Sequence, residues 1–334
     1  MIERSFDMVQ RAMDTIDDQP QVRFVDYGAA DGGTAWGLWR NVAETLGSRL
    51  GVGSLEVVIN DLPANDWNAL ASNLERLGQA FPEVTYAMAP RSFYAPVVAP
   101  GSVTLGFSAT AMHWLSTMPG HLKTHTHANA TPNAEDRARF AAVAVRDWEA
   151  ILLQRAHELR PGGQMVCVNL SRSDDGLYLG HNGRDAHMHD TFHDLWRGLR
   201  DEGVITDEEY VGATIQNYYK SEAEFAAPLL DVEGPVHRAG LRLVEIRTDH
   251  IACPYRAQFD RTGDLAAFAE GLMWTMRSWS EHTFKAALTE RPEEEAQGIV
   301  DDFYQRYVDR ITAEPGRYSM DYVECYLRLT KEGR

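Results

Sequence analysis

The sequence predicts an α/β fold: a doubly wound, mainly parallel seven-stranded sheet with a helical cap over its carboxyl edge. Three observations predict it. Apolar runs fit for strands alternate with segments of helical period. Several of those runs are almost continuously apolar, as in strands buried on both faces. A glycine turn closes the first run and an acid stands at the tip of the second, where open α/β sheets bind ligands.

In chain order, strands are expected at 22–27, 55–60, 84–89, 103–108, 164–170, 241–248 and 322–330. Helices 36–50 and 67–78 follow the glycine turn and the acidic loop. A long helix over 134–159 is expected to stop at Pro161-Gly162-Gly163, since proline cannot continue a helix and glycine readily leaves one. Two stretches, 171–237 and 254–318, break the alternation. They are polar, rich in aromatics and compatible with helix, and a structureless insert of that length is unusual in a compact domain. They are read as cap insertions. The core then comprises 1–170, a strand segment in 238–253 and a final strand in 319–334.

A net charge of −17 argues against nucleic acid and anionic membrane as partners, because both require a basic footprint. No apolar stretch approaches the roughly 18 residues of a membrane span. The N-terminal residues show no secretory pattern, so a soluble cytoplasmic protein is expected. Three widely spaced cysteines, Cys167, Cys253 and Cys325, read as buried thiols in a reducing compartment.

The candidate site begins at the first strand end. Gly28-Ala29-Ala30-Asp31-Gly32-Gly33 is not GxGxxG, which disfavours a dinucleotide. Asp26, two residues before the first glycine, suits a ligand tail bearing an ammonium, as in S-adenosylmethionine. Asp61 at the second strand tip suits ribose hydroxyls, and Asn65 or Asp66 is left to cap the next helix. In Arg91-Ser92-Phe93-Tyr94, Phe93 can cover a base and Ser92 can bond its edge. The block 107–116 ends the fourth strand. Its Trp114 offers one N–H donor on a large apolar body, suited to orienting a carboxylate while excluding water. His113 beside it would favour an acidic substrate if protonated. His187, His189 and His193, and separately His121, His125 and His127, have metal-compatible spacing. No cysteine or carboxylate pattern joins them, and no metal is assigned.

These blocks resemble the plant-type salicylate, benzoate and theobromine (SABATH) methyltransferases and their bacterial relatives. VDYGAADGG resembles the family's first cofactor motif, NDLPANDWN its NDLPxNDFN block, SFY its GSFY block, and SATAMHWLS its SxYSLxWLS block. Residues 217–224 resemble a cap segment with a tyrosine before an acidic helix. Beyond residue 171 the likeness is faint. The resemblance implies a methyltransferase sheet with a helical cap, S-adenosylmethionine as cofactor, a homodimer, and methyl transfer to the carboxylate of a small acid. It also implies that Asp26, Gly28, Ala29, Asp61, Leu62, Ser92, Phe93, Ser108 and Ala109 line the cofactor. Trp114 and Gln10 would grip the substrate carboxylate, with His113, Thr110 and Tyr218 near it. Arg91 replaces the glycine of GSFY and Thr110 stands at the motif's tyrosine, so the pocket differs from that of the plant salicylate enzymes.

The expected activity is carboxyl O-methylation of a small aromatic or otherwise apolar acid. The apolar preference rests on Trp196, Tyr218, Tyr219, Trp274 and Trp279 in the cap segments. N-methylation of a small heterocycle and non-catalytic binding of S-adenosylmethionine are the alternatives.

Overall fold

The structure, a computed structural model, describes residues 2–17, 20–47, 49, 54–181 and 186–333. Strands β1 (Val22–Tyr27), β2 (Leu55–Asp61), β3 (Thr85–Pro90), β4 (Val103–Ala109), β5 (Leu159–Arg172), β7 (Leu241–Ile251) and β8 (Tyr322–Lys331) form one sheet in the order β3-β2-β1-β4-β5-β8-β7. The two-residue strand β6 (Lys220–Ser221) pairs with the end of β5, making an eighth strand. β1 to β5 are parallel, and β8 is antiparallel to both its neighbours. The order reverses between β1 and β4, so the crevice at their carboxyl ends is the topological switch point of the sheet.

Both faces of the sheet are covered. Helix α1 (Phe6–Asp14) buries Met8, Val9, Ala12 and Met13 with α2 (Trp36–Val42) and α3 (Trp67–Ala80) on one face. Helices α4 (Ala134–Glu158), α7 (Glu222–Leu230) and α8 (Pro235–Arg238) cover the other through Trp148, Ile151, Phe225 and Val236. Helices α5 (Met188–Asp201), α6 (Asp207–Gly212), α9 (Pro254–Thr262), α10 (Leu265–Ala286) and α11 (Glu293–Ala313) share a separate core. Its centre is Phe192, Trp196, Phe284, Phe303 and Tyr304. Each phenylalanine buried there contributes about 1.5–3 kcal/mol.

The long helix ends at Glu158, one residue short of the expected 159 and just before the Pro-Gly-Gly. Leu159 is already extended, and Pro161 to Gly163 lie within the first residues of β5. Proline disfavours helical backbone in the residue before it, and extended backbone lets the chain enter the sheet at once. Asp66 is the cap of α3, accepting from the amides of Asn68 and Ala69 at 3.1 and 3.0 Å, which leaves Asp61 free for other work. Cys167, Cys253 and Cys325 are buried free thiols. No helix among the described residues is long and apolar enough to cross a membrane.

Candidate active site

The chain leaves β1 at Tyr27 and turns at Gly28, whose φ is +78°. A Cβ there would lie 2.4 Å from the Cβ of Ala111. The position therefore needs glycine twice, for its left-handed backbone and for the close approach of the loop after β4. The amides of Gly28 and Ala29 donate to the Asn60 carbonyl at 2.8 and 3.2 Å. The amide of Ala30 donates to Asp61 Oδ2 at 2.7 Å, and Asn65 Nδ2 donates to the Ala30 carbonyl at 2.7 Å. Leu62 N donates to the other Asp61 oxygen at 2.7 Å. Asp61 thus clamps the glycine turn to the tip of β2.

Two non-glycine residues among those described have positive φ, Ala30 at +51° and Thr110 at +50°. Both lie at the switch point. For β-branched Thr110 this backbone costs of order 1–3 kcal/mol, and such strain gathers at functional sites. Its amide is held by the Val168 carbonyl at 2.7 Å. Ser108 spends its hydroxyl on the Tyr27 carbonyl at 2.8 Å, and half-buried Ala109 follows it at the end of β4.

Asp26 lies behind the turn, buried, with Trp39 Nε1 donating to its Oδ2 at 2.7 Å. Burial pushes its carboxyl up to about 7, opposed by the Trp39 bond and reinforced by the charge of Asp61. A cation bound nearby favours the carboxylate. Affinity for S-adenosylmethionine should therefore rise as pH increases through about 7 and fall below it, and Asp26→Asn should flatten the profile. Calorimetric titration at pH 6, 7 and 8 measures this, and a wild-type affinity independent of pH would remove Asp26 from the ligand tail.

Phe93 reaches within 3.7 Å of the Cβ position at Gly28, so the 91–94 loop borders the glycine turn. Ser92 Oγ accepts from Tyr94 N at 3.3 Å. Behind this loop is a buried pair with no sequence signal, since its members sit unremarkably in α4. Arg155 and Glu158 are both fully buried and 3.0 Å apart. Arg155 donates to the carbonyls of Phe93 and Ala95, while Glu158 accepts from Tyr27 and from the amide of Val97.

Trp114 faces the cap. Its ring lies 6.3 Å from that of Trp279 and 5.6 Å from His282, both on α10. Among the described residues nothing accepts from its indole N–H. Its carbonyl is fixed by the Tyr94 hydroxyl at 2.6 Å. His113 is buried, and its imidazole is pushed down to about 3 by burial and by the nearby Lys220 charge. The condition under which His113 would favour an acidic substrate is therefore not met: at neutral pH it is an uncharged imidazole.

Two sequence-predicted residues are not brought to Trp114. The amide of Gln10 donates to Asp14 Oδ1 at 2.8 Å, one turn along α1. Tyr218 packs with Leu115, Leu122 and Phe140, and its hydroxyl donates to Glu224 at 3.2 Å. Its neighbour Tyr219 faces His113, ring to ring at 5.7 Å. Successive side chains of extended backbone point to opposite sides, so one residue of register decides which tyrosine enters the site. Of the cap aromatics, Trp196 is core, Trp274 is exposed, and Trp279 and Tyr219 border the site.

The histidines stack. His127 lies on His189 at 3.8 Å and His125 on His193 at 4.5 Å. Their ring nitrogens meet Asn217, Tyr219 and Asp190 rather than a common centre. Among the described residues no group of three potential ligands converges as a metal site requires. The stack joins Tyr219 to Tyr178 and Trp279, extending the aromatic wall of the site.

The arrangement offers a glycine cradle, a carboxylate for a diol, an aromatic beside the turn, and an unbonded N–H in an aromatic enclosure. These features fit S-adenosylmethionine. Comparison with known proteins agrees on this cofactor. A family described as SAM dependent carboxyl methyltransferase matches residues 8–332. Methyltransferase LUC1 of Fusarium is 32% identical over 162 residues, 46% of this chain and 40% of that protein. Gibberellic acid methyltransferase 1 of Arabidopsis thaliana is 27% identical over 230 residues, 62% of this chain and 61% of that protein. The chain thus spans less than two thirds of the length of either relative. A solved loganic acid methyltransferase, with S-adenosylhomocysteine, superposes with a TM-score of 0.74 at 19% identity, covering 98% of this chain and 91% of that one, a likeness of fold.

Proposed function

Because the chain belongs to the S-adenosylmethionine-dependent carboxyl methyltransferase family, we propose that it methylates the carboxylate of a small aromatic or otherwise apolar acid to give a methyl ester. In this reading Asp26, Gly28, Ala29, Asp61, Leu62, Ser92, Phe93, Ser108 and Ala109 hold the cofactor. Trp114, with Thr110, His113 and Tyr219, holds the acceptor. Gln10 joins them by a change of rotamer away from Asp14, and Tyr218 supports the loop from outside. The protein acts as a homodimer in the cytoplasm.

The observation that carries the acceptor reading is the indole N–H of Trp114, without an acceptor among the described residues, against the rings of Trp279 and His282. A carboxylate is ionised at neutral pH, so no general base is needed. When bound, S-adenosylmethionine would supply an electrophilic sulfonium methyl for transfer to a carboxylate oxygen. The residues here would orient one carboxylate oxygen toward that methyl and keep water out; such orientation is worth roughly 7–11 kcal/mol of barrier. The relatives named for gibberellic and loganic acids support a carboxylic acid acceptor.

Titration with S-adenosylhomocysteine, followed by labelled-methyl transfer to a panel of small acids, tests the proposal. Micromolar binding with base-labile product is the expected result. Base-stable product would indicate N-methylation, and tight binding without turnover a non-catalytic protein. Trp114→Phe keeps the apolar body and removes the donor. It should lower kcat/KM about tenfold with near-normal cofactor affinity, in line with one lost hydrogen bond to a charged group.

A further inference from the structure

In a protein of net charge −17, one cavity has the opposite sign. It holds about 410 Å³ between the start of α4 and the end of β5, and the charged residues lining it are Arg137 and Arg172. Among the described residues no carboxylate lines it.

Two elements bring the arginines there. Arg137 is the fourth residue of α4, and its Nη1 donates to the Thr131 carbonyl at 2.6 Å. Among the described residues its guanidinium forms no ion pair. Arg172 closes β5 and meets Glu224 at 3.4 Å, a long contact. That carboxylate already accepts from the amide and hydroxyl of Ser221 and from Tyr218. Near Arg137, Asp136 pairs with Arg139 instead, and Glu135 is exposed outside the cavity.

Tyr178 points to a ligand. It lines the cavity and is only 7% exposed. Among the described residues its hydroxyl has no hydrogen-bond partner, yet it is not sealed in, so it opens onto the cavity. Leaving a largely buried hydroxyl unpaired is unfavourable until something meets it. Burial and the charge of Asp190 push its phenol up, and the Arg137 charge opposes them. Tyr178 is therefore a neutral donor within reach of the field of Arg137. Ala134, the first residue of α4, lines the same space. Asn133 caps the amides of Glu135 and Asp136, so the Ala134 amide stays available at the positive end of a 25-residue helix.

This is not the acceptor space. Tyr218 lines it and Tyr219 does not, and neighbours on extended backbone point to opposite sides. Trp114, Trp279 and His282 lie outside it as well. Asn129, on its wall, holds the Tyr219 backbone through two bonds of 3.0 and 2.9 Å, so the two spaces stand back to back.

We propose that this cavity binds a doubly charged oxoanion, inorganic phosphate or a small phosphate monoester, between Arg137 and Arg172 with the Tyr178 hydroxyl donating to it. Planar guanidinium forks match phosphate oxygens. The volume leaves room for an organic group against the Tyr178 and Tyr218 rings.

The test is calorimetric titration of the whole protein with inorganic phosphate, phenyl phosphate and acetate, in wild type, Arg137→Gln and Tyr178→Phe. Saturating S-adenosylhomocysteine keeps the probes out of the cofactor site. Wild type should bind phosphate in the millimolar range or tighter, and acetate about tenfold more weakly, because acetate carries half the charge. Arg137→Gln should weaken phosphate about tenfold, as loss of a charge-assisted pair does. Tyr178→Phe keeps the ring and its stacking on His127 and should weaken phosphate about threefold. Phenyl phosphate binding more tightly than phosphate identifies an ester as the ligand, and the reverse identifies free phosphate; both support the site. Binding of neither phosphate compound overturns the proposal. So does acetate binding as tightly as phosphate, or equal phosphate affinity in wild type and both variants. If Arg137→Gln fails to fold, unchanged phosphate affinity in Tyr178→Phe overturns it alone.

Discussion

Glu158→Ala should lower stability by about 3–5 kcal/mol, the range for breaking a buried ion pair by removing one partner. Glu158 and Arg155 are both fully buried. Removing the carboxylate leaves a guanidinium that cannot shed its proton and cannot reach water. It also orphans the Tyr27 hydroxyl, now 2.7 Å from Glu158, and the amide of Val97. The guanidinium lies 4.0 Å over the Tyr27 ring, so strand β1 is tied to this pair as well. Denaturant unfolding measures the loss as a lowered midpoint at nearly constant slope. Glu158→Gln should cost less, because its carbonyl oxygen still accepts from one of the orphaned donors. The 93–98 loop hangs from the same pair, so residual folded Glu158→Ala protein should also bind S-adenosylhomocysteine more weakly. A loss below about 1 kcal/mol would mean that water reaches the pair, since the penalty arises from burial.

Asp61→Ala should weaken S-adenosylhomocysteine binding by more than tenfold. The carboxylate does two things at the tip of β2. It holds the amide of Ala30, whose φ of +51° needs an external restraint, and it fixes Leu62. Each oxygen keeps lone-pair capacity beyond the amide it accepts, which is what a ribose diol would use. Charge-assisted bonds of this kind are roughly twice as strong as neutral ones. Asp61→Asn retains one carbonyl acceptor and should fall between alanine and wild type. The fold should persist, since Asp61 is half-buried at a strand tip and the β1–β2 ladder does not depend on its side chain. Unchanged affinity in a folded Asp61→Ala protein would sink the assignment of this turn to the cofactor.

How much of this was legible in the sequence depends on how locally each feature is encoded. The glycine turn was readable because φ at Gly28 is a property of one residue and its approach to Ala111 follows from having no side chain. Asp61 and Trp114 were readable because strand ends fall where apolar runs stop. The long helix was readable to within one residue of its end, but the early start of β5 at Leu159 was not, because it depends on sheet pairing to β4, a contact between segments far apart in the chain. The choice of Tyr219 over Tyr218 turned on one residue of register in a short extended segment, which no periodicity fixes over so few residues. The neutral state of His113 followed from burial under a cap whose own likeness to known families is faint.

The Arg155–Glu158 pair marks the same limit. Spaced three apart on a helix, it reads as a routine surface pair. Only the tertiary structure buries it beneath β1 and the 93–98 loop.

The sequence by itself determined the sheet's central strands, the glycine turn, the acid at the tip of β2 and the tryptophan after β4, because burial pattern and backbone conformation are written within a few residues. The tertiary structure decided which cap side chains face Trp114, and that the histidines stack rather than converge. Those outcomes depend on how segments far apart in the chain pack, and burial and charge at such contacts have no local signature.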